Sequence, residues 1–176
     1  MNIHLREYQQ QCIDSIVNAR RGNWLVVMAT GLGKTVTFAN LPRAGRTLIL
    51  SHRRELVTQP KKYYDCDYGI ELGSQHSHGE PVISASIQTM MHRMNKFKPN
   101  DFERIIVDEA HHSAAKSYKQ ILNYFQPEQI VGFTATPNRS DSVRLDDVFQ
   151  DIIFERDLKW GIQNGYLSDI YCQRVN

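Results

Sequence analysis

Short continuous apolar runs alternate along the chain with longer stretches that mix polar and apolar residues. Continuous rather than alternating apolar character is typical of strands that are buried on both faces of a sheet. The pattern predicts six such strands: Trp24–Met28, Thr47–Leu50, Pro81–Ala85, Arg104–Val107, Gln129–Phe133 and Ile152–Phe154.

Helix-like stretches lie between these strands: Lys34–Leu41, Arg53–Tyr64, Ile87–Met94, Tyr118–Phe125 and Leu158–Asn164. Strands that alternate with helices favour right-handed crossovers and a parallel sheet between two helix layers. We therefore predict an α/β fold with three layers and a central, mostly parallel sheet. Pro60 lacks an N–H and would clash with the carbonyl of Leu56, so the helix should kink or end early there. The stretch Gly69–Glu80, rich in Gly, Ser and His, is predicted to be a loop.

The composition indicates a globular protein, with 41% hydrophobic and 23% charged residues. At 176 residues the chain is long enough for one domain and too short for two ordinary ones. No apolar run approaches the roughly 20 residues of a membrane span, and the first residues lack the apolar core of a signal peptide. We therefore expect a cytoplasmic or nucleoid-associated protein with no membrane partner. Cys12, Cys66 and Cys172 form no CxxC pair, which disfavours a disulfide framework or a zinc site.

The strand that ends at Met28 runs into a glycine-rich segment followed by a helical stretch. The segment matches the P-loop pattern from Gly33 onward, although Met28 stands where the eight-residue motif has its first glycine. Glycines allow a tight bend that aims N–H groups inward, a lysine supplies charge for the β- and γ-phosphates, and a threonine hydroxyl binds Mg²⁺. The alternative is a glycine-rich turn with a chance Lys-Thr. The predicted ATP-binding residues of this loop are Thr30, Gly31, Leu32, Gly33, Lys34 and Thr35, of which Thr35 would also bind Mg²⁺.

An acidic pair follows the predicted strand Arg104–Val107. Ligands of open α/β sheets bind at the carboxyl ends of the strands, so we expect the pair and the P-loop to meet across neighbouring strand ends. Asp108 would hold Mg²⁺ through its water shell, and Glu109 would orient and polarise the attacking water. The alternative is a solvated acidic turn.

Seven short motifs follow one another in order along nearly the whole chain: Leu5–Gln9 (LRxYQ), Ala29–Thr35, Ser51–Leu56 with Gln59 (HRxEL), Ser86–Met90, Asp108–His111 (DEAH), Thr134–Pro137 with Arg139 (TATPxR), and Gly165–Ser168. In this order and spacing they resemble the first RecA-like domain of superfamily two DEAH-box helicases and translocases. The most similar branch is that of type III restriction enzymes and excision-repair helicases. Its form of the phosphate loop does not require the glycine that is missing at Met28.

The resemblance implies roles for further residues. Gln9 would read the adenine edge, and Arg6 would help to hold the nucleotide. The residues expected near a nucleic-acid backbone are His52, Arg53, Gln88 and Thr89. Thr134, Thr136 and Arg139 would couple the ATP site to the nucleic-acid path, with His111 as a bridge. The implied catalytic set is Lys34, Asp108, Glu109 and His111.

The resemblance thus implies an ATP-dependent motor domain acting on nucleic acid, with DNA favoured over RNA by analogy to the excision-repair branch. Two basic regions, one around Arg53 and one around Arg93, offer phosphate contacts, although solvated surface is the alternative. No second P-loop core and no QxxGRxxR pattern follow Ser168. We therefore expect residues 1–167 to form the first RecA-like domain. Residues 168–176 would begin a linker to a second one, which is absent here and supplied in cis or in trans.

Two other function classes stay open. The first is a different P-loop enzyme, either a GTPase or a small-molecule kinase. The segment Asn95–Lys98 lacks the aspartate of the NKxD guanine reader, and no long insertion offers the arginine-bearing lid of a kinase. The second is a nucleotide-binding module without catalysis, which the intact Lys34, Thr35, Asp108 and Glu109 disfavour. Tyr8 either stacks near the base or packs in the core, and His112 is interpreted as a surface neighbour of His111.

Overall fold

The structure, a computed structural model, describes residues 4–113, 116–135 and 145–169. The strands are β1 (Gly22–Met28), β2 (Thr47–Ser51), β3 (Tyr68–Glu71), β4 (Val82–Ser86), β5 (Arg104–Asp108), β6 (Gln129–Thr134) and β7 (Asp151–Arg156). The α-helices are α1 (Glu7–Ala19), α2 (Lys34–Ala39), α3 (Arg54–Thr58), α4 (Ile87–Arg93), α5 (Lys116–Tyr124) and α6 (Leu158–Gln163). Short 3-10 helices span Gln59–Tyr63, Met94–Lys96 and Ala110–His112.

The seven strands form one sheet in the order β3-β4-β2-β5-β6-β1-β7, and every strand pair in it is parallel. Strands β2, β4, β5 and β6 are buried along their whole length, which explains their unbroken apolar runs. The edge strand β7 is instead exposed at Asp151, Ile152 and Glu155 and buried only at Phe154. The predicted α/β fold with a central parallel sheet is confirmed.

Two apolar cores lie on opposite faces of the sheet, because successive side chains of a strand point to opposite faces. On one face Val27, Val107 and Ile130 pack against Met90 of α4 and Ile121 of α5. On the other face Val26, Ile106 and Val131 pack against residues of α1 and α2, among them Ile13 and Phe38. The sheet therefore lies between two helix layers, as predicted.

The structure differs from the predicted elements in two places. Helix α1 covers the LRxYQ segment, for which no element was predicted, and the predicted loop Gly69–Glu80 is wrong at its start because Tyr68–Glu71 is the edge strand β3. The predicted early end at Pro60 is confirmed: α3 stops at Thr58 and a 3-10 helix continues with Pro60 in its first turn. Of the helices in the described residues, none has the length and apolar character needed to cross a membrane.

Candidate functional site

The loop between β1 and α2 is a tight turn that depends on two glycines. Gly31 has φ of 89° and Gly33 has φ of 82°, a left-handed conformation that glycine adopts without steric cost. A Cβ on Gly33 would lie only 2.5 Å from Nε2 of Gln9, so a larger residue would displace that side chain in addition to straining the backbone. Lys34 and Thr35 begin α2 directly after this turn.

Helix α1 fastens this loop through the carbonyl of Leu32. The hydroxyl of Tyr8 donates a hydrogen bond to that oxygen at 2.8 Å, and Nε2 of Gln9 donates a second at 3.1 Å. Oε1 of Gln9 accepts from the backbone N–H of Arg6 at 3.0 Å. Both side chains on Leu32 are buried, so Tyr8 packs in the core rather than lying open for a base. Gln9 has one N–H and one oxygen lone pair left for a ligand.

The segment around α6 also packs on the loop, which the sequence did not indicate beyond the motif at Gly165–Ser168. Tyr8 makes edge-to-face contacts with Trp160 and Tyr166, with ring centroids 5.2 and 4.7 Å apart. The guanidinium of Arg6 lies over the Tyr166 ring, 5.4 Å from its centroid. A Cβ on Gly31 would lie 2.8 Å from Cδ2 of Leu167. The glycine at position 31 thus makes room for Leu167 as well as bending the loop.

The charge of Lys34 acts on Asp108 although the strands that lead to these residues, β1 and β5, are not adjacent. Burial of Asp108, which is 4% exposed, raises the pKa of its carboxyl to about 6, and the charge of Glu109 raises it further. The positive charge of Lys34 opposes this rise, and Nζ of Lys34 lies 3.4 Å from the carbonyl oxygen of Met28. The expectation of neighbouring strand ends is wrong, because β6 lies between β1 and β5. The two sites meet across the end of that intervening strand.

Glu109 has a left-handed backbone, with φ of 54° and ψ of 53°. This conformation costs a residue with a Cβ roughly 1–2 kcal/mol, and such outliers occur often at functional sites. The 3-10 helix Ala110–His112 begins directly after it. Nδ1 of His111 lies 3.3 Å from Oε2 of Glu109 and 3.2 Å from Oγ1 of Thr134. His111 therefore connects the carboxylate that follows β5 to the last residue of β6.

The residues expected near a nucleic acid lie on the same edge of the sheet. A cavity of about 300 Å³ at the ends of β2, β3 and β4 is lined by His52, Arg54, Leu72, Gly73, Ser86, Gln88 and Thr89. Gln88 is exposed, whereas Thr89 is held by Ser86, whose Oγ accepts from the Thr89 N–H at 3.2 Å and donates to its Oγ1 at 2.9 Å. We refer to this cavity as the β2–β4 groove. Arg53 precedes α3 next to it and is exposed.

Arg93, at the centre of the second predicted basic region, binds groups of the protein itself. Nη1 of Arg93 lies 2.7 Å from Oε2 of the buried Glu71 and 2.8 Å from the carbonyl oxygen of Gln75, and its other terminal nitrogen contacts the carbonyl of Gly73. Arg93 therefore holds the turn after β3 in place instead of facing a ligand. Thr136 and Arg139 of the expected coupling set lie outside the described residues.

Comparison with known proteins identifies the family. Residues 2–139 match the family described as type III restriction enzyme, res subunit. The chain belongs to this family. Its fold is also that of the helicase domain of Hef from Pyrococcus furiosus, with a TM-score of 0.73, 20% identity, and coverage of 95% of this chain and 41% of that one. The predicted RecA-like fold and the resemblance to the restriction-enzyme and excision-repair branch are therefore confirmed.

Two sequence relatives resemble nearly the same stretch. IRC3 of Saccharomyces cerevisiae, named as a candidate ATP-dependent helicase, is 38% identical over 193 residues, covering 94% of this chain and 28% of its own length. The DNA 3'-5' translocase XPB2 of Sulfurisphaera tokodaii is 33% identical over 147 residues, covering 79% of this chain and 32% of its own length. The chain thus spans about a third or less of the length of the curated relatives it matches.

Proposed function

We propose that the chain is the ATP-binding half of a motor that hydrolyses ATP while acting on nucleic acid, with DNA favoured over RNA. The observation that carries the proposal is the convergence of Lys34, Asp108 and Glu109 at one edge of the sheet, with Lys34 close enough to change the pKa of Asp108. A nucleotide triphosphate with a divalent cation suits this arrangement. The buried Asp108 carboxylate gains most from a nearby positive charge.

The residues of the loop fit a bound Mg·ATP. Gly31 and Gly33 bend the loop with positive φ, a conformation that can aim backbone N–H groups at phosphate oxygens, and Lys34 would contribute the charge for the β- and γ-phosphates. Thr35 and Asp108 supply the hard oxygen ligands that Mg²⁺ prefers. When bound, the ion would neutralise charge on the phosphates. Arg6 and the free amide positions of Gln9 would contact the base.

Hydrolysis would rest on Glu109. Its strained backbone and its contact with His111 fix the carboxylate at the mouth of the site, where it would orient and polarise water. Full activity would need arginines from a second RecA-like domain, since an arginine finger contributes about 10³ to 10⁵ in rate. We propose that residues 1–167 form the first domain, that 168–176 lead out of it, and that the second domain acts in cis or in trans.

The nucleic-acid partner is supported by the β2–β4 groove and by a relative. The groove brings His52 together with Gln88 and Thr89, three of the four residues expected along a nucleic-acid backbone. XPB2, which shares 33% of its residues with this chain over the matched stretch, is a DNA translocase by name. Contacts to the backbone would give binding that is independent of sequence and weakened by salt.

Binding of a fluorescent ATP analogue tests the nucleotide half of the proposal. We expect binding to require Mg²⁺ and to be lost in Lys34→Ala, while Lys159→Ala, an exposed lysine on α6, serves as the matched control. Equal binding by the wild type and Lys34→Ala would refute the site. A preference for GTP over ATP would favour a GTPase instead.

Turnover assays test the motor half. ATP hydrolysis is measured with and without duplex DNA, single-stranded DNA and RNA, and with the second RecA-like domain of a relative such as XPB2 added in trans. We expect slow turnover that polynucleotide increases and Glu109→Gln abolishes. Phosphate transfer to a small acceptor would favour a kinase, and no turnover under any of these conditions would favour a binding module.

A further inference from the structure

Three histidine rings form a continuous row between the β2–β4 groove and the catalytic carboxylate. The ring centroids of His52 and His112 are 4.8 Å apart, and those of His112 and His111 are 4.1 Å apart. His111 in turn contacts Glu109 at 3.3 Å. A displacement of His52 by a ligand in the groove can therefore reach Glu109 through ring contacts.

The elements that carry these rings make the row mechanically direct. His52 directly follows β2, and it lines the groove. His112 ends the 3-10 helix whose first residue follows the strained Glu109. Because the 3-10 helix is only three residues long, a shift of the His112 ring at its end would move the backbone next to Glu109. Energetic coupling between sites can be carried by side chains in contact, and these rings touch although His52 and His112 are exposed.

The charged groups around His112 favour its neutral form. Burial lowers its pKa first, and the charges of His111, His52 and Arg53 lower it further, while Glu109 opposes them. A phosphate near His52 and Arg53 would act first on His52, at one end of the row, which contacts His112.

We propose that His112 is the positioning residue through which an occupied nucleic-acid groove adjusts Glu109 for ATP hydrolysis. The inference rests on the proposed function, since it needs a nucleic acid in the groove and a nucleotide at the phosphate loop. It assigns to His112 a role that its place next to the DEAH residues did not suggest. His112 acts through His111 and touches neither substrate.

The first test reads the row directly in the full 176-residue chain. Ring resonances of ¹³C-labelled histidine are followed by NMR while a short duplex DNA is added. We expect the His111 resonance to shift on DNA addition in the wild type and in His112→Phe, which keeps a flat ring, but not in His112→Ala. His78→Ala is the matched control, because His78 is exposed and makes no ring contact with this row in the described residues.

The second test measures the ratio of ATP turnover with and without saturating DNA. We expect His112→Ala to lower this ratio by roughly 5-fold or more, the lower end of usual coupling between sites, with the KM for ATP and the Kd for DNA within about twofold of the wild type. His112→Phe should restore it. A ratio lost only because DNA binding weakens, or a row that responds equally in His112→Ala, would overturn the inference.

The two proposals fail in distinguishable ways. If Lys34→Ala binds Mg·ATP as well as the wild type, or if no polynucleotide binds, the proposed function fails and the inference falls with it. If both ligands bind and polynucleotide raises turnover while the His111 resonance stays unmoved in the wild type, only the role of His112 is refuted.

Discussion

Replacing Asp108 by asparagine should stabilise the nucleotide-free protein at neutral pH while impairing its use of Mg²⁺. Asparagine keeps the shape of the side chain and the oxygen that accepts the Glu109 N–H at 3.0 Å. It removes a negative charge that is buried beside another carboxylate. The wild type bears that charge above pH 6, and the variant never does.

The structure gives the size of the effect. The pKa of Asp108 rises from an ordinary value of 3.8 to about 6 in the folded protein. At about 1.4 kcal/mol for each pH unit, this corresponds to about 3 kcal/mol in favour of the protonated form. The folded state binds more protons than the unfolded state between pH 3.8 and about 6, so the stability of the wild type falls as the pH rises through this window. Above it the full penalty of about 3 kcal/mol remains.

Urea unfolding of both proteins between pH 4 and pH 8 is the assay. We expect Asp108→Asn to be more stable than the wild type by up to about 3 kcal/mol at pH 7.5 and nearly equal to it below the window. Asp67→Asn, an exposed aspartate, controls for loss of charge in general. A difference that does not change with pH, or a variant that is less stable at pH 7.5, would refute the reasoning. Saturating Mg·ATP should stabilise the wild type much more than Asp108→Asn.

Three further outcomes are expected. Tyr8→Phe should lower the free energy of unfolding in urea by about 1 kcal/mol and weaken ATP binding, because the Leu32 carbonyl loses one hydrogen-bond donor. Tyr63→Phe, at a half-buried tyrosine, is the control and should change neither quantity. Equal stability of Tyr8→Phe and the wild type would contradict this prediction. Glu71→Gln should cost about 2–4 kcal/mol, since Arg93 keeps its charge without its partner. Burial would raise the pKa of Glu71, but hydrogen bonds from Ser77 and Arg93 lower it below its ordinary value of 4.5. The stability difference between the wild type and the variant should therefore be present above pH 4.5 and fade as acid protonates Glu71. A difference that stays constant with pH would argue against this. Burial raises the pKa of the Cys12 thiol to about 12, so Cys12 should resist iodoacetamide at pH 8 in the native protein. Mass spectrometry of the labelled peptides checks this, and modification of Cys12 without unfolding would contradict its burial.

The central strands were predictable because their physics is local. A strand with both faces covered is apolar at nearly every position, and β2, β5 and β6 carry the apolar runs Leu48–Leu50, Ile105–Val107 and Ile130–Val131. Pro60 was predictable for the same reason, since a missing N–H acts on its own turn. The edge strand β3 was missed because its two buried positions carry Gly69 and Glu71, which break the apolar pattern, and only pairing with β4 makes the segment a strand.

The candidate site was likewise predictable where its residues are close together in the sequence and not where they are far apart. Residues within one motif, such as Gly33 and Lys34, could be grouped from their spacing. The contacts of Leu167 with Gly31 and of His52 with His112 join residues that are far apart in the chain. Spacing carries no signal for such pairs. The strand order was out of reach as well, since the insertion of β6 between β1 and β5 depends on which crossovers pass over which strands.

Strand β6 fixes the width of the proposed nucleotide site. It is hydrogen-bonded to β1 with Val27 beside Thr134, and to β5 with Asp108 beside Phe133. The strands that lead to Lys34 and to Asp108 are thus held two ladder spacings apart, or about 10 Å. Narrowing or widening this gap would require breaking a ladder on at least one side of β6. If the proposed function holds, a change from ATP to ADP would be answered by the side chains and turns at the rim, above a sheet that keeps its dimensions throughout.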